Sequence, residues 1–379
     1  MHVEVNPEIL RWACERAGWN TMIVAEKVPQ LPAWERGEKH PTLKQLEKFA
    51  KRVHAPLGYF FLPAPPEEKL PVPDFRTTGN YRISQPSPDL LETLYICQQR
   101  QEWYREFSLL IKEDTCDFVG SATLHDDPVV IAERITATLG FDIENRKKAT
   151  TWREALREFI TLTDAAGIMT MVSGVVGSNT HRKLDYEEFR GFALADDRAP
   201  LVFINGSDTK SAQMFTLAHE LAHIWLGKTG VSDQAPVSVP TNDIEKWCNS
   251  VAAEILVPIE VFKAEYTASN ALPGEIDRLA RVFKVSTLVI IRRLSDSGFI
   301  TRPRYKEIYD EELTRLLEMK KGAGGNYYST QPARVSKRFA RALIISASEG
   351  QTLYRDALQL LGMKKMSTFN ELSARLGVM

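Results

Sequence analysis

Leu217-Ala218-His219-Glu220-Leu221-Ala222-His223-Ile224-Trp225 is the stretch on which the reading of this sequence turns. Its apolar residues surround a helix on every side, from Phe215 to Leu226, so that helix belongs inside a core. His219 and His223 stand one turn apart on one face. Two imidazoles and a carboxylate are costly to bury unpartnered. A metal ion held by both histidines removes that cost, and Glu220 then lies beside the first ligand, placed to take a proton from an attacking water. The competing reading is a pair of core histidines bonded to backbone.

A catalytic zinc site keeps three protein ligands and one open position. Two carboxylates on the next predicted helix, residues 243–257, compete for the third place: Glu245 and Glu254. Nine residues apart, they lie on opposite helix faces, so one alone faces the metal. Glu245 is the preferred one, because it shares its side with Asn249, Ala252 and Ala253, which permit close helix approach. Upstream, Ile168–Val176, Phe189–Leu194 and Leu201–Ile204 are short apolar runs broken by Gly, Asp and Pro, and read as strands. Residues 87–112, 128–140, 152–166, 208–226 and 275–296 read as helices.

Together, Phe189-Arg190-Gly191-Phe192-Ala193-Leu194, Pro200-Leu201-Val202-Phe203-Ile204-Asn205-Gly206, the histidine helix, and Glu245-x-x-Cys248-Asn249-x-x-Ala252-Ala253-Glu254-Ile255-Leu256-Val257-Pro258 resemble the ImmA/IrrE family of metallo-endopeptidases, over about residues 150–260. The resemblance implies one zinc per chain bound by His219, His223 and Glu245, with Glu220 as general base. It implies that Leu201–Ile204 is a sheet edge holding an extended substrate, and that the substrate is a regulatory protein such as a DNA-binding repressor. Cys248 stands where many relatives have Ala. His181 and Tyr186, ahead of the site strands, are candidates for the oxyanion-stabilising group.

The net charge of −1 hides basic ends. Residues 301–379 carry 14 Lys and Arg against 8 Asp and Glu, and residues 1–62 carry 9 against 7. Such ends suit nucleic acid or an acidic partner, or plain solvation. Residues 6–62 resemble an XRE-type helix-turn-helix domain through Val24-Ala25-Glu26-Lys27, Trp34-Glu35-Arg36-Gly37, Pro41-Thr42 and Leu43–Phe49. Asn6-Pro7 opens its first helix, Gly18 closes it, and Thr21 caps the second. Between Ala25 and Trp34 the recognition helix is about four residues short, and Pro29 and Pro32 oppose a normal helix there. In the tail, Arg334, Lys337, Arg338 and Arg341 follow the spacing i, i+3, i+4, i+7 and form a stripe on a helix after Pro332, suited to phosphates or an acidic protein. A Gly-rich break falls at Gly322–Gly325, and Ala357–Leu376 has the look of a second small helix-turn-helix.

The expected architecture is therefore α+β. Residues 1–62 form an all-α helix-turn-helix domain. Residues 63–150 are a linker, stiffened by Pro63, Pro65, Pro66, Pro71 and Pro73, and a helical region. Residues 151–300 are a zincin-like peptidase domain with a small sheet, and 301–379 a basic helical domain. Cys14, Cys97, Cys116 and Cys248 form no C-x-x-C pair, and MHVEVNPEIL has no apolar signal core, so a reduced cytoplasmic compartment fits. Two functions follow. One is a zinc endopeptidase. The other is a transcriptional regulator or antitoxin that binds a toxin, DNA or both, using the peptidase-like domain for recognition. A homo-oligomer is compatible with either, and no membrane is expected.

Overall fold

Short β-branched and aromatic runs after residue 168 build the sheet on which the candidate site rests. The computed structural model describes residues 2–75, 86–232, 242–319 and 334–378. The fold is α+β and mostly helical, with one small sheet. The strands are β1 (Met169–Ser173), β2 (Gly191–Leu194), β3 (Leu201–Asn205) and β4 (Gly230–Ser232). Their order is β1-β3-β2-β4. β1 runs parallel to β3, with Met169 opposite Leu201, and β2 pairs antiparallel with both β3 and β4. β3 is thus an interior strand, not the edge expected of it. Every residue of β3 is buried, as an apolar run without alternation requires when both faces are covered.

By contacts the chain divides into two units, one drawn from Met1–Pro71 and Tyr81–Thr93, the other from Val72–Asn80 and Leu94–Met379. In the first, Asn6 caps the helix Pro7–Arg16, accepting from the Glu8 N–H at 2.9 Å. Asn20, not Thr21, caps Thr21–Lys27, because its Oδ1 accepts from Ile23 N at 2.9 Å. Prolines shorten the next helix to Leu31–Glu35. A Thr42/Gln45 capping box starts Leu43–Arg52. Leu10, Leu31, Trp34, Leu46, Phe49 and Phe60 form the core of these helices. The Pro-rich segment is fastened to them: Asn6 Nδ2 donates to Pro63 O at 2.7 Å, and the Arg16 guanidinium holds the Glu68 carboxylate.

In the second unit the helix Lys210–Trp225 lies behind the sheet and packs on Asp243–Leu256. Leu217, Leu221 and Ile224 are wholly buried, each worth roughly 1.5–3 kcal/mol. The chain at 120–122 satisfies the helix's last carbonyls, Gly120 N meeting Ile224 O at 3.1 Å and Ala122 N meeting Trp225 O at 2.9 Å. Residues 275–296 are two helices, Leu272–Phe283 and Thr287–Asp296, because Lys284 turns into the left-handed region (φ 53°) and Ser286 caps the second.

The tail folds as Lys337–Ser348, Tyr354–Leu360 and Met366–Leu376; Gly322–Gly325 and Pro332 lie outside the described residues. Asp164 anchors the first of these helices. Its carboxylate accepts from Ser336 Oγ at 2.9 Å, Lys337 N at 3.1 Å and Thr170 N at 3.0 Å. Burial raises its pKa to about 6 against those hydrogen bonds. A carboxyl with a raised folded pKa binds its proton more tightly folded than unfolded, so its stabilising contribution is present below about pH 4 and is lost as pH rises through about 6. On the order of 3 kcal/mol is at stake. Unfolding curves between pH 4 and 7 should show that loss in the natural protein and a flatter profile in Asp164→Asn; parallel profiles would refute it.

Candidate metal centre

The helix Lys210–Trp225 carries His219, Glu220 and His223, all wholly buried. Glu245 reaches them from the first turn of Asp243–Leu256 and is nearly as buried. The two Nε2 atoms stand 3.0 Å apart, and the Glu245 oxygens lie 3.3 Å from His219 Nε2 and 3.0 Å from His223 Nε2. Burial disfavours the Glu245 carboxylate, but the two histidines outweigh that and lower its pKa to about 2.

The outer nitrogen of His219 decides whether a cation fits here. Its Nδ1 meets Asn249 Oδ1 at 3.0 Å. An amide oxygen accepts only, so Nδ1 carries the proton and a neutral ring leaves Nε2 bare. In the neutral ring that nitrogen would face a carboxylate oxygen, lone pair against lone pair. A cation between them resolves the conflict. Donors about 2.0–2.1 Å from one ion in a tetrahedral shell stand about 3.3 Å apart, close to the spacings found. The residues fit a metal such as zinc.

Glu254, the competing carboxylate, is elsewhere. It pairs with Arg293 at 2.8 Å and accepts from Ile259 N at 3.1 Å. Cys248 is nearer than the sequence implied: its Sγ and the ring nitrogens of His219 and His223 lie within 4.8 Å of one another. Burial first, then the charges of Glu245 and Glu220, push the thiol's pKa well above its usual value, so Cys248 is a neutral thiol beside the closer Glu245 carboxylate.

Glu220 sits between the helix and the sheet. A Cβ on Gly191 would stand 3.0 Å from Glu220 Oε1 and 2.6 Å from Thr216 Cγ2, so only glycine lets β2 approach the helix this closely. Burial, then the charge of Glu245, raises the Glu220 pKa well above normal, opposed by the Ser232 hydroxyl nearby. Asn249, Ser232 and Gly191 thus shape the site without having been singled out for it. His181 is exposed and Tyr186 half-buried in the loop between β1 and β2.

The basic stripe is divided. Arg334 precedes the helix, which starts at Lys337 after Ser336. Arg338 binds the Glu113 carboxylate and lies 5.6 Å from the Tyr104 ring centre. Lys337 and Arg341 are exposed.

Residues 164–295 match the IrrE N-terminal-like domain, about a third of the chain. The match spans the whole sheet, both site helices and Arg293. It supports a metallopeptidase-like domain, for which a bound metal and a protein substrate are implied. Residues 335–375, the tail helices, match a domain of unknown function. No curated protein matches the chain. Among the described residues, no helix is long and apolar enough to cross a membrane.

Proposed function

We propose that the chain is a zinc-dependent endopeptidase that cuts a regulatory protein such as a DNA-binding repressor, with His219, His223 and Glu245 as ligands and Glu220 as general base. The observation that carries this is the convergence of two imidazole nitrogens and one carboxylate within 3.0–3.3 Å, with a second carboxylate alongside. A bound zinc supplies Lewis-acid polarisation of the scissile carbonyl and of the attacking water. The chain's residues do the rest. Asn249 holds the tautomer of His219. Glu220 accepts the water's proton and passes it to the leaving amine. The buried walls exclude bulk water.

Residues 1–62, in this reading, are a docking or DNA-binding helix-turn-helix module of a cytoplasmic regulator, and Lys337 with Arg341 contributes to a partner surface. A second reading, a regulator or antitoxin that uses this domain for recognition, draws on the complete burial of His219, Glu220 and His223.

Metal analysis tests the ligand set. Purified protein should hold about one zinc per chain, Cys248→Ser should keep it, and His219→Ala should lose it. Equal metal in the natural protein and His219→Ala would defeat the proposed ligand set.

A further inference from the structure

The two histidines and Glu220 are fully shielded, and part of the shield is the chain's own segment Pro73-Asp74-Phe75. This segment pairs with the outer edge of β4. Phe75 N donates to Val231 O at 2.9 Å, and Val231 N donates to Pro73 O at 3.1 Å. Asp74 stands opposite Val231 in parallel register. The Phe75 ring lies flat on the His223 imidazole, with centroids 5.4 Å apart and planes 10° from parallel. Gly230 makes the room: a Cβ there would fall 2.2 Å from Phe75 Cε2 and 3.1 Å from Pro73 O. An edge strand that binds a peptide through its main chain, with a pocket for one side chain, is a recognition groove. Here the pocket is floored by a candidate metal ligand and shaped for a flat ring.

We propose that the β4 edge, with the pocket over Gly230 and His223, is the subsite for an aromatic residue of an extended peptide, and that Phe75 occupies it in cis. The inference rests on the endopeptidase reading for its purpose, though not for its test. An incoming peptide must displace Pro73–Phe75, and that segment competes from a tethered position, at an effective concentration on the order of millimolar.

The test uses the full chain, zinc-loaded, in a Glu220→Gln background so that peptide is bound and not cut. The probe is a fluorescent peptide with the sequence of residues 70–79, and a second in which its Phe is Ala. Anisotropy titrations should show the Phe peptide binding Phe75→Ala protein at least about tenfold more tightly than protein retaining Phe75. The Ala peptide should bind both weakly. Equal affinity for the Phe peptide in the two proteins, or equal affinity for the two peptides, would overturn the proposal. Should Phe75→Ala fail to fold, 4-fluorophenylalanine at position 75 serves instead. Its fluorine resonance should move when the Phe peptide saturates the protein; an unmoved resonance, or no binding, has the same overturning force. Binding is read without cleavage, so a chain that binds in this way yet never cuts defeats the enzyme reading alone. A chain that cuts but shows no competition by Phe75 defeats the subsite alone.

Discussion

Glu220→Gln should leave the metal in place and lower peptide cleavage by about 10²–10⁴-fold, the range set by losing a positioned general base. Glutamine has nearly the same volume, so the contact with Gly191 survives. It has no basic oxygen to take a proton. Burial already disfavours the charged carboxylate at this position, so the exchange should leave the melting temperature unchanged or slightly raised. Zinc content, melting temperature and turnover on one preparation make the comparison. Activity within a few-fold of the natural protein would remove Glu220 from the mechanism, and with it the strongest reason for preferring chemistry to recognition.

Arg293→Ala should destabilise the larger unit by about 3–5 kcal/mol, the cost of leaving one member of a buried ion pair alone. Arg293 and Glu254 face each other at 2.8 Å with little exposure, and Glu254 also receives Ile259 N at the start of the helix Ile259–Glu265. Removing the guanidinium strands a buried carboxylate and loosens that helix start. Replacing both partners, as Glu254→Leu with Arg293→Met, should recover much of the loss, since apolar groups of similar size need no counter-charge. Denaturant unfolding of the natural protein and the two variants decides it. A loss below 1 kcal/mol in Arg293→Ala would mean that solvent or a rearranged partner already satisfies Glu254.

Glu254 pairs with Arg293 and not with the histidines, which marks how far a sequence carries such a site. Helical phase separated Glu245 from Glu254, and small neighbours pointed to Glu245; the helix pair brings that carboxylate to the histidines. Phase cannot reveal that Arg293, on a helix distant in sequence, supplies the partner of Glu254. The apolar helix around His219 was legible because burial on all sides leaves no polar stripe, and the runs at β1 to β3 were legible by their bounds. Strand order was not: hydrophobicity marks β3 as buried but says nothing of which strands flank it. β4 is only Gly230–Ser232, too short for any period. Its two neighbours in the site, Phe75 and Glu220, come from segments that no local pattern links to it. The tail stripe failed for a related reason. Spacing predicts which residues share a face, but Arg338 turns towards Glu113, and Ser336 starts the helix after Arg334.

The group behind His219 also sets the electrical balance of the centre. Asn249 is uncharged, and imidazoles that hold a metal through nitrogen would be neutral as well. Under the proposed ligand set, a divalent cation with one carboxylate ligand would keep one net positive charge inside a wall of low polarisability. An aspartate at position 249 would cancel it. The choice of an amide over an acid biases the pocket towards holding an anion, whether an ionised water or the oxygen of a carbonyl under attack. Such a cation would also favour the charged form of the neighbouring Glu220 carboxylate, which burial disfavours.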